Sequence, residues 1–131
     1  MAEDLSIDIE KLVGDKIEKG VVGSTLILEN RKLGDESVSQ LSNLEVLSEV
    51  ITLDLGENNI SDTGVHTLVN SPYIENLKTL NLKSNNLTEE GARFIAESPK
   101  LKDLEHLILK FNRIGEAGAN YLAQSETLTN L

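Results

Sequence analysis

The chain has 131 residues, 39% of them apolar but only 3% aromatic, with a net charge of −10 and no cysteine. That length fits one domain with an aliphatic core, and the missing cysteine excludes disulfides and thiolate metal sites and agrees with a reducing cytoplasm. The acidic excess argues against nucleic acid and anionic membrane surfaces as partners. No apolar run of about 18 residues offers a transmembrane helix, and MAEDLSIDIE lacks the order of a secretory signal.

Residues 1–22 form a unit of their own. Leu5, Ile9, Leu12 and Val13 fall at helical spacing with charged residues between them, which predicts an amphipathic helix over roughly 4–18. Gly20 and Gly23 then bracket Val21 and Val22 as a turn. The segment is read as a cap on the first repeat of the array, with a partner-binding helix as the alternative.

From residue 23 the chain repeats with a period of 27, in units 23–49, 50–76, 77–103 and 104–130. Leu53 and Leu55, Leu80 and Leu82, and Leu107 and Leu109 alternate with period two and predict short strands with one buried face. Asn58, Asn85 and Asn112 follow each strand. An Asn side chain both donates and accepts, so at one register these residues predict a ladder that satisfies turn backbone out of reach of water. In the first unit Arg31 stands at that position, as an adaptation of a terminal repeat.

The second half of each unit reads as helix. Ser61 and Thr88 are candidate N-caps with acids after them. Val65/Leu68/Val69, Ala92/Ile95/Ala96 and Ala119/Leu122/Ala123 face the core, and Pro72 and Pro99 end the helices. Gly64, Gly91 and Gly118 recur at one register inside helices, where Gly costs roughly 1 kcal/mol against Ala; close helix-to-strand approach is the expected reason. Strand, helix and parallel strand make a right-handed crossover. Strands spaced about 4.8 Å apart and helices nearly 10 Å apart force curvature. The predicted fold is α/β, a curved horseshoe segment with parallel strands on the concave face and helices on the convex face.

The pattern LxxLxLxxNxLxxxG, running from Leu77 through Leu80, Leu82, Asn85 and Leu87 to Gly91, resembles the ribonuclease-inhibitor-like leucine-rich repeat. The resemblance implies a protein that binds other proteins through its concave strand face and adjoining loops. It departs from the vertebrate inhibitor in having no cysteine and few repeats, and the array stops at Leu131, the first position of a would-be fifth strand.

If that binding mode carries over, the concave columns are Thr25, Thr52, Thr79, His106; Ile27, Asp54, Asn81, Ile108; Glu29, Gly56, Lys83, Lys110; and Asn30, Glu57, Ser84, Phe111. Thr52, Asp54, Glu57, Thr79, Asn81, Lys83, His106, Ile108, Lys110 and Phe111 are the candidate partner-binding residues. The N-terminal half of this face is expected to be acidic (Glu29, Asp54, Glu57), and the C-terminal half basic and apolar. Phe94 and Tyr121 share a register and are expected to touch along the helical flank.

His66 and His106 have no accompanying ligand set, so no metal is expected, and no cofactor-binding motif is present. The acceptor-like Asn59-Ile60-Ser61 and Asn86-Leu87-Thr88 are by-products of the repeat. No catalytic constellation is present. The reading is a non-enzymatic protein-interaction module; the alternative is a structural segment of a longer array with its site elsewhere. A remote alternative, a Ran-type GTPase-activating protein using Arg31, rests on the same family resemblance. The uncovered last strand predicts either continuation beyond Leu131 or self-association through the C-terminal edge.

Overall fold

The computed structural model describes residues 7–131; Leu5, in the predicted first helix, lies outside them. Asp8 opens α1 (Ile9–Lys16) by accepting the backbone N–H of Lys11 at 3.1 Å, the expected use of an Asp N-cap. The helix ends sooner than the periodicity predicts. Ile17–Lys19 leaves it as β1, an antiparallel partner of β2 (Ser24–Ile27). Gly20 and Gly23 close the hairpin, with the Gly20 N–H donating to the Gly23 carbonyl at 3.0 Å. Helical spacing through Ile17 was overridden because an extended chain there satisfies the free side of β2.

After β2 the chain alternates regularly: α2 (Gly34–Leu41), a 3-10 turn (Glu45–Glu49), β3 (Val50–Asp54), α3 (Asp62–Val69), β4 (Thr79–Asn81), α4 (Glu89–Glu97), β5 (His106–Ile108) and α5 (Gly115–Ala123). The sheet order is β1-β2-β3-β4-β5, and β2 to β5 are parallel. Leu26, Leu53, Leu80 and Leu107 are direct partners across it, one period apart. Parallel strands on the concave face and helices on the convex face make a curved α/β segment.

The interior is layered by the repeat. Leu26, Leu28, Leu53, Leu55, Leu80 and Leu82 are fully buried, together with Val65, Leu68 and Val69 from α3 and Ile95 from α4. Ile9 and Val13 of α1 join this same cluster. At the other end Leu107, Leu109 and Leu122 are half-buried, and Ala119 and Ala123 are exposed. Each fully buried leucine is worth about 1.5–3 kcal/mol relative to leaving it in water, so the last layer holds less of the fold than those before it.

Polar side chains fasten one repeat to the next. Asn58 donates to the carbonyls of Leu28 (2.8 Å) and Gly56 (3.0 Å) and accepts from the N–H of Arg31 (2.9 Å) and Leu33 (3.3 Å). Asn85 accepts from the N–H of Asn58 and Ile60, both at 3.0 Å, and donates to the carbonyls of Leu55 (3.1 Å) and Leu82 (3.0 Å). Asn112 accepts from the Leu87 N–H at 3.0 Å and donates to the Leu82 and Leu109 carbonyls. Each Asn thus reaches back one unit. A second column, Ser71, Ser98 and Ser125, does the same under the helices: its hydroxyls donate to the carbonyls of Ser42, Val69 and Ala96.

A third link explains Gly64 and Gly91 among the recurring helical glycines, and it is not the expected approach of helix to strand. Asp35 at the start of α2 accepts from the N–H (2.8 Å) and the hydroxyl of Ser61, and Asp62 accepts from the N–H (2.8 Å) and the hydroxyl of Thr88. A Cβ on Gly64 would lie 2.3 Å from Asp35 Oδ1, and one on Gly91 would lie 2.5 Å from Asp62 Oδ1. Gly64 and Gly91 leave room for a carboxylate from the preceding helix, whereas a Cβ on Gly118 would meet the side chains of Ile114 and Ala92. Ser61 occupies the N-cap position of α3 as expected, but its hydroxyl serves Asp35 and makes no cap bond to its own helix. Thr88 does both, also accepting from the Glu90 N–H at 3.3 Å.

Candidate partner-binding face

The side chains that alternate with the buried leucines lie on the concave face of the sheet. Register brings Thr25, Thr52, Thr79 and His106 into one row and Ile27, Asp54, Asn81 and Ile108 into the next. Thr52 and Thr79 are half-buried and His106 is exposed; Ile27 is 43% exposed. The third and fourth columns lie just beyond the strands, where the ladder continues: the Asn30 N–H donates to the Gly56 carbonyl (2.9 Å), Glu57 to Lys83 (3.0 Å) and Ser84 to Lys110 (2.9 Å). The candidate residues are therefore one contiguous surface.

Two of these residues also hold the backbone. Asp54 Oδ1 accepts the Gly56 N–H at 2.9 Å, and Asn81 Oδ1 accepts the Lys83 N–H at 3.0 Å. These Asx turns, two residues long, end β3 and β4 and reduce the freedom of both side chains to meet a partner.

One ion pair bridges the expected acidic and basic halves. Lys83 lies across Gly56, where a Cβ would come within 3.1 Å of Lys83 Cγ, and its Nζ pairs with Glu29 at 3.0 Å. The hydrogen bond and charge of Glu29, helped by the fields of Glu57 and Asp54, hold the Lys83 amine above the ordinary lysine range. A cation from the third repeat therefore neutralises an anion of the first. Glu57 and Lys110 remain exposed. The reason is local: Gly56 has no side chain, so a long lysine can span two units.

The fourth column has an unusual backbone. Asn30, Glu57, Ser84 and Phe111 all take left-handed conformations, with φ of 54°, 57°, 55° and 60°. Asn tolerates this region, but a bulky residue there is an outlier. Phe111 is nevertheless 75% exposed, with Lys110 Nζ 5.7 Å from its ring centroid. The turn belongs to the repeat, since in every unit it directly precedes the ladder position, Arg31, Asn58, Asn85 or Asn112.

Elsewhere on the surface, the ring partner of Phe94 is His66 on α3, with centroids 4.4 Å apart, and not the expected Tyr121. Arg93 also lies over Phe94, at 5.0 Å, while it pairs with Glu90 and Glu97 at 2.8 Å each. A shallow open hollow of about 570 Å³ lies between the exposed hairpin tip, Val21 and Val22, and Asn76, Lys78 and Asp103. No residue of the concave columns lines it, although Ser24, Ile51 and Lys78 directly precede Thr25, Thr52 and Thr79. Among the described residues no group of His, Cys, Asp and Glu is arranged to hold a metal ion, and no helix is long and apolar enough to cross a membrane.

The sequence reading missed the Ser71/Ser98/Ser125 column and the Asp35–Ser61 and Asp62–Thr88 links. The signal was present in the same 27-residue spacing. It went unread because Ser and Asp are common surface residues, whereas a recurrent Asn beside buried leucines stands out.

The family model described as Leucine Rich repeat matches residues 50–69, 73–96 and 100–123. The chain belongs to the leucine-rich-repeat family. The matches begin at Val50, so the irregular unit before it, whose third-column anion is Glu29, lies outside them. Among solved structures, leiomodin-1 actin-binding site 2 superposes with a TM-score of 0.66 at 17% identity, covering 92% of this chain and 73% of that one. The tropomodulin C-terminal domain of Caenorhabditis elegans gives 0.53 at 16% identity, covering 91% of each. At such identity the likeness is one of fold. Comparison with curated protein sequences gives no match.

Proposed function

We propose that this leucine-rich-repeat chain is a non-enzymatic module that binds a protein partner through its concave strand face. One observation carries the reading. The inward positions are leucine in every unit, whereas the concave rows they alternate with change from unit to unit: Thr, Thr, Thr, His in one and Ile, Asp, Asn, Ile in the next. A scaffold needs the first pattern; a surface specific for one partner needs the second. Residues 1–22 serve as the N-terminal cap and 23–131 as four repeats of the ribonuclease-inhibitor-like type, supported by α1 burying Ile9 and Val13 in the common core. Arg31 is exposed and its backbone N–H is held by Asn58. Nothing arranged around it supports the GTPase-activating alternative.

Because the leiomodin-1 structure is of an actin-binding site, actin is the first partner to test. The chain lacks cysteine, so a single introduced Cys carries a photo-crosslinker without background. Placed by Thr79→Cys on β4, it captures partner; placed by Thr63→Cys, exposed on α3, it does not. Actin is tried as purified protein and other partners from extract. Capture confined to the α3 position overturns the concave-face reading.

A further inference from the structure

We infer that the turn from Lys110 to Arg113 docks an acidic partner segment bearing an apolar side chain, with Phe111 as its anchor. This rests on the protein-binding reading above and specifies the chemistry of the partner. Phe111 is the bulkiest residue in a column that must adopt left-handed backbone, the others being Asn30, Glu57 and Ser84. Strain of that kind persists where the surrounding structure enforces it, and it concentrates at binding sites. Here the repeat enforces the backbone, yet the packing does not use the ring, which is 75% exposed.

Within the stack the same column is open to solvent to differing degrees: Glu57 is exposed and Ser84 half-buried, although repeats flank both on either side. The end effect is plain in the core: Leu109 is half-buried where Leu55 and Leu82 are fully buried, and Leu122 where Leu68 and Ile95 are.

The charges beside the ring indicate what it meets. Lys78, Lys83, Arg93 and Lys100 each hold a carboxylate. Lys110 and Arg113 are exposed and, like Lys11, Lys16, Lys19, Arg31, Lys32 and Lys102, form none of the ion pairs among the described residues; they are the two that flank an exposed aromatic ring. Ile108 and His106 continue the surface along β5. An aromatic anchor with two free cations within three residues suits an apolar side chain flanked by carboxylates. The acidic excess of the N-terminal half does not cancel this, because charges more than about 8 Å away are largely screened at physiological salt.

The probe is a fluorescein-labelled short peptide with a central Leu-Phe pair flanked by Asp and Glu. Two controls carry Lys flanks or a Ser-Ser centre, and binding is read by anisotropy at about 0.15 M salt. The chain should bind the acidic peptide at least about tenfold more tightly than either control. Phe111→Gly should weaken binding by about tenfold while raising Tm by about 3 °C, since Gly adopts this backbone freely. Lys110→Glu with Arg113→Glu should turn the preference toward the Lys-flanked peptide. Equal binding of the three peptides, unchanged binding by Phe111→Gly, or a lower Tm in that variant would overturn the inference. So would concentration-dependent self-association that Phe111→Gly abolishes, which would make a second copy the occupant. Any of these with capture still confined to Thr79→Cys leaves the concave-face reading standing; capture from α3 alone removes that reading as well.

Discussion

Lys83 reaches across Gly56 to Glu29, so one ion pair at 3.0 Å ties the third repeat to the first over the strand between them. Its energy is small, as for other exposed pairs, but its position fixes the charge pattern of the concave face. The amine is held above its ordinary value by its carboxylate partner. A raised lysine stabilises the fold fully below its unfolded pKa, and that contribution is lost as pH rises through the folded one. Lys83→Met should therefore lower Tm by about 2 °C or less near neutrality. The deficit should hold to about pH 9 and close above the ordinary lysine pKa near 10.4. A deficit that grows with alkalinity would contradict the assignment.

The asparagine column should show graded sensitivity. Asn85 is 8% exposed and bonds four backbone groups of two repeats at 3.1 Å or less. Asn85→Ala should cost roughly 1–3 kcal/mol for each buried group left unpaired. Asn112 is half-buried at the weaker end of the stack, so Asn112→Ala should cost less. Asn86 is exposed, with its amide to Asn59, and Asn86→Ala should cost under about 0.5 kcal/mol. Urea denaturation of the three variants checks the order.

The glycine column gives a double-mutant test. Ala in a helix is worth about 1 kcal/mol over Gly, but at residue 91 its Cβ would lie 2.5 Å from Asp62 Oδ1. Gly91→Ala should destabilise the native chain. In an Asp62→Ala background the same change should be neutral or stabilising, with a coupling energy of about 1 kcal/mol or more. Additive effects, measured by chemical denaturation, would show that the carboxylate does not exclude the side chain.

The C-terminal layer should make the chain sticky. β5 is an edge strand, and Leu107, Ile108, Leu109 and Leu122 are half-buried beside an open groove that also includes Leu131. Edges with apolar neighbours recruit other strands. The opposite edge is β1, only three residues long with Glu18 and Lys19 exposed, and short charged edges resist pairing, so association should stop at a dimer. Light scattering over a concentration series should show a dimer that Leu109→Lys abolishes; a monomer at every concentration would contradict this.

The period of 27 made most of the fold legible. A fixed spacing of Leu and Asn specifies strand, turn and helix together, because each unit buries its face only against a neighbour. The helix boundary at Ile17 was not legible, since an amphipathic pattern continues smoothly into a residue that the free edge of β2 draws into a strand. The Gly column was visible, but its cause was misassigned. Spacing alone does not distinguish a nearby strand from the Asp62 carboxylate one helix away. On the candidate face, register was readable from alternation, whereas the Lys83–Glu29 pair was not. It depends on a long side chain crossing the empty place at Gly56, and a column of letters does not contain reach.

The central claim is that the concave face receives the partner. Its most direct test is the Kd of a captured partner for Thr79→Arg, which places a bulky cation in the middle of that face, beside Thr63→Arg on the convex side. The account predicts at least about a tenfold loss, or 1.4 kcal/mol, for the first, and an unchanged Kd for the second. Unchanged binding by Thr79→Arg together with loss by Thr63→Arg would contradict it.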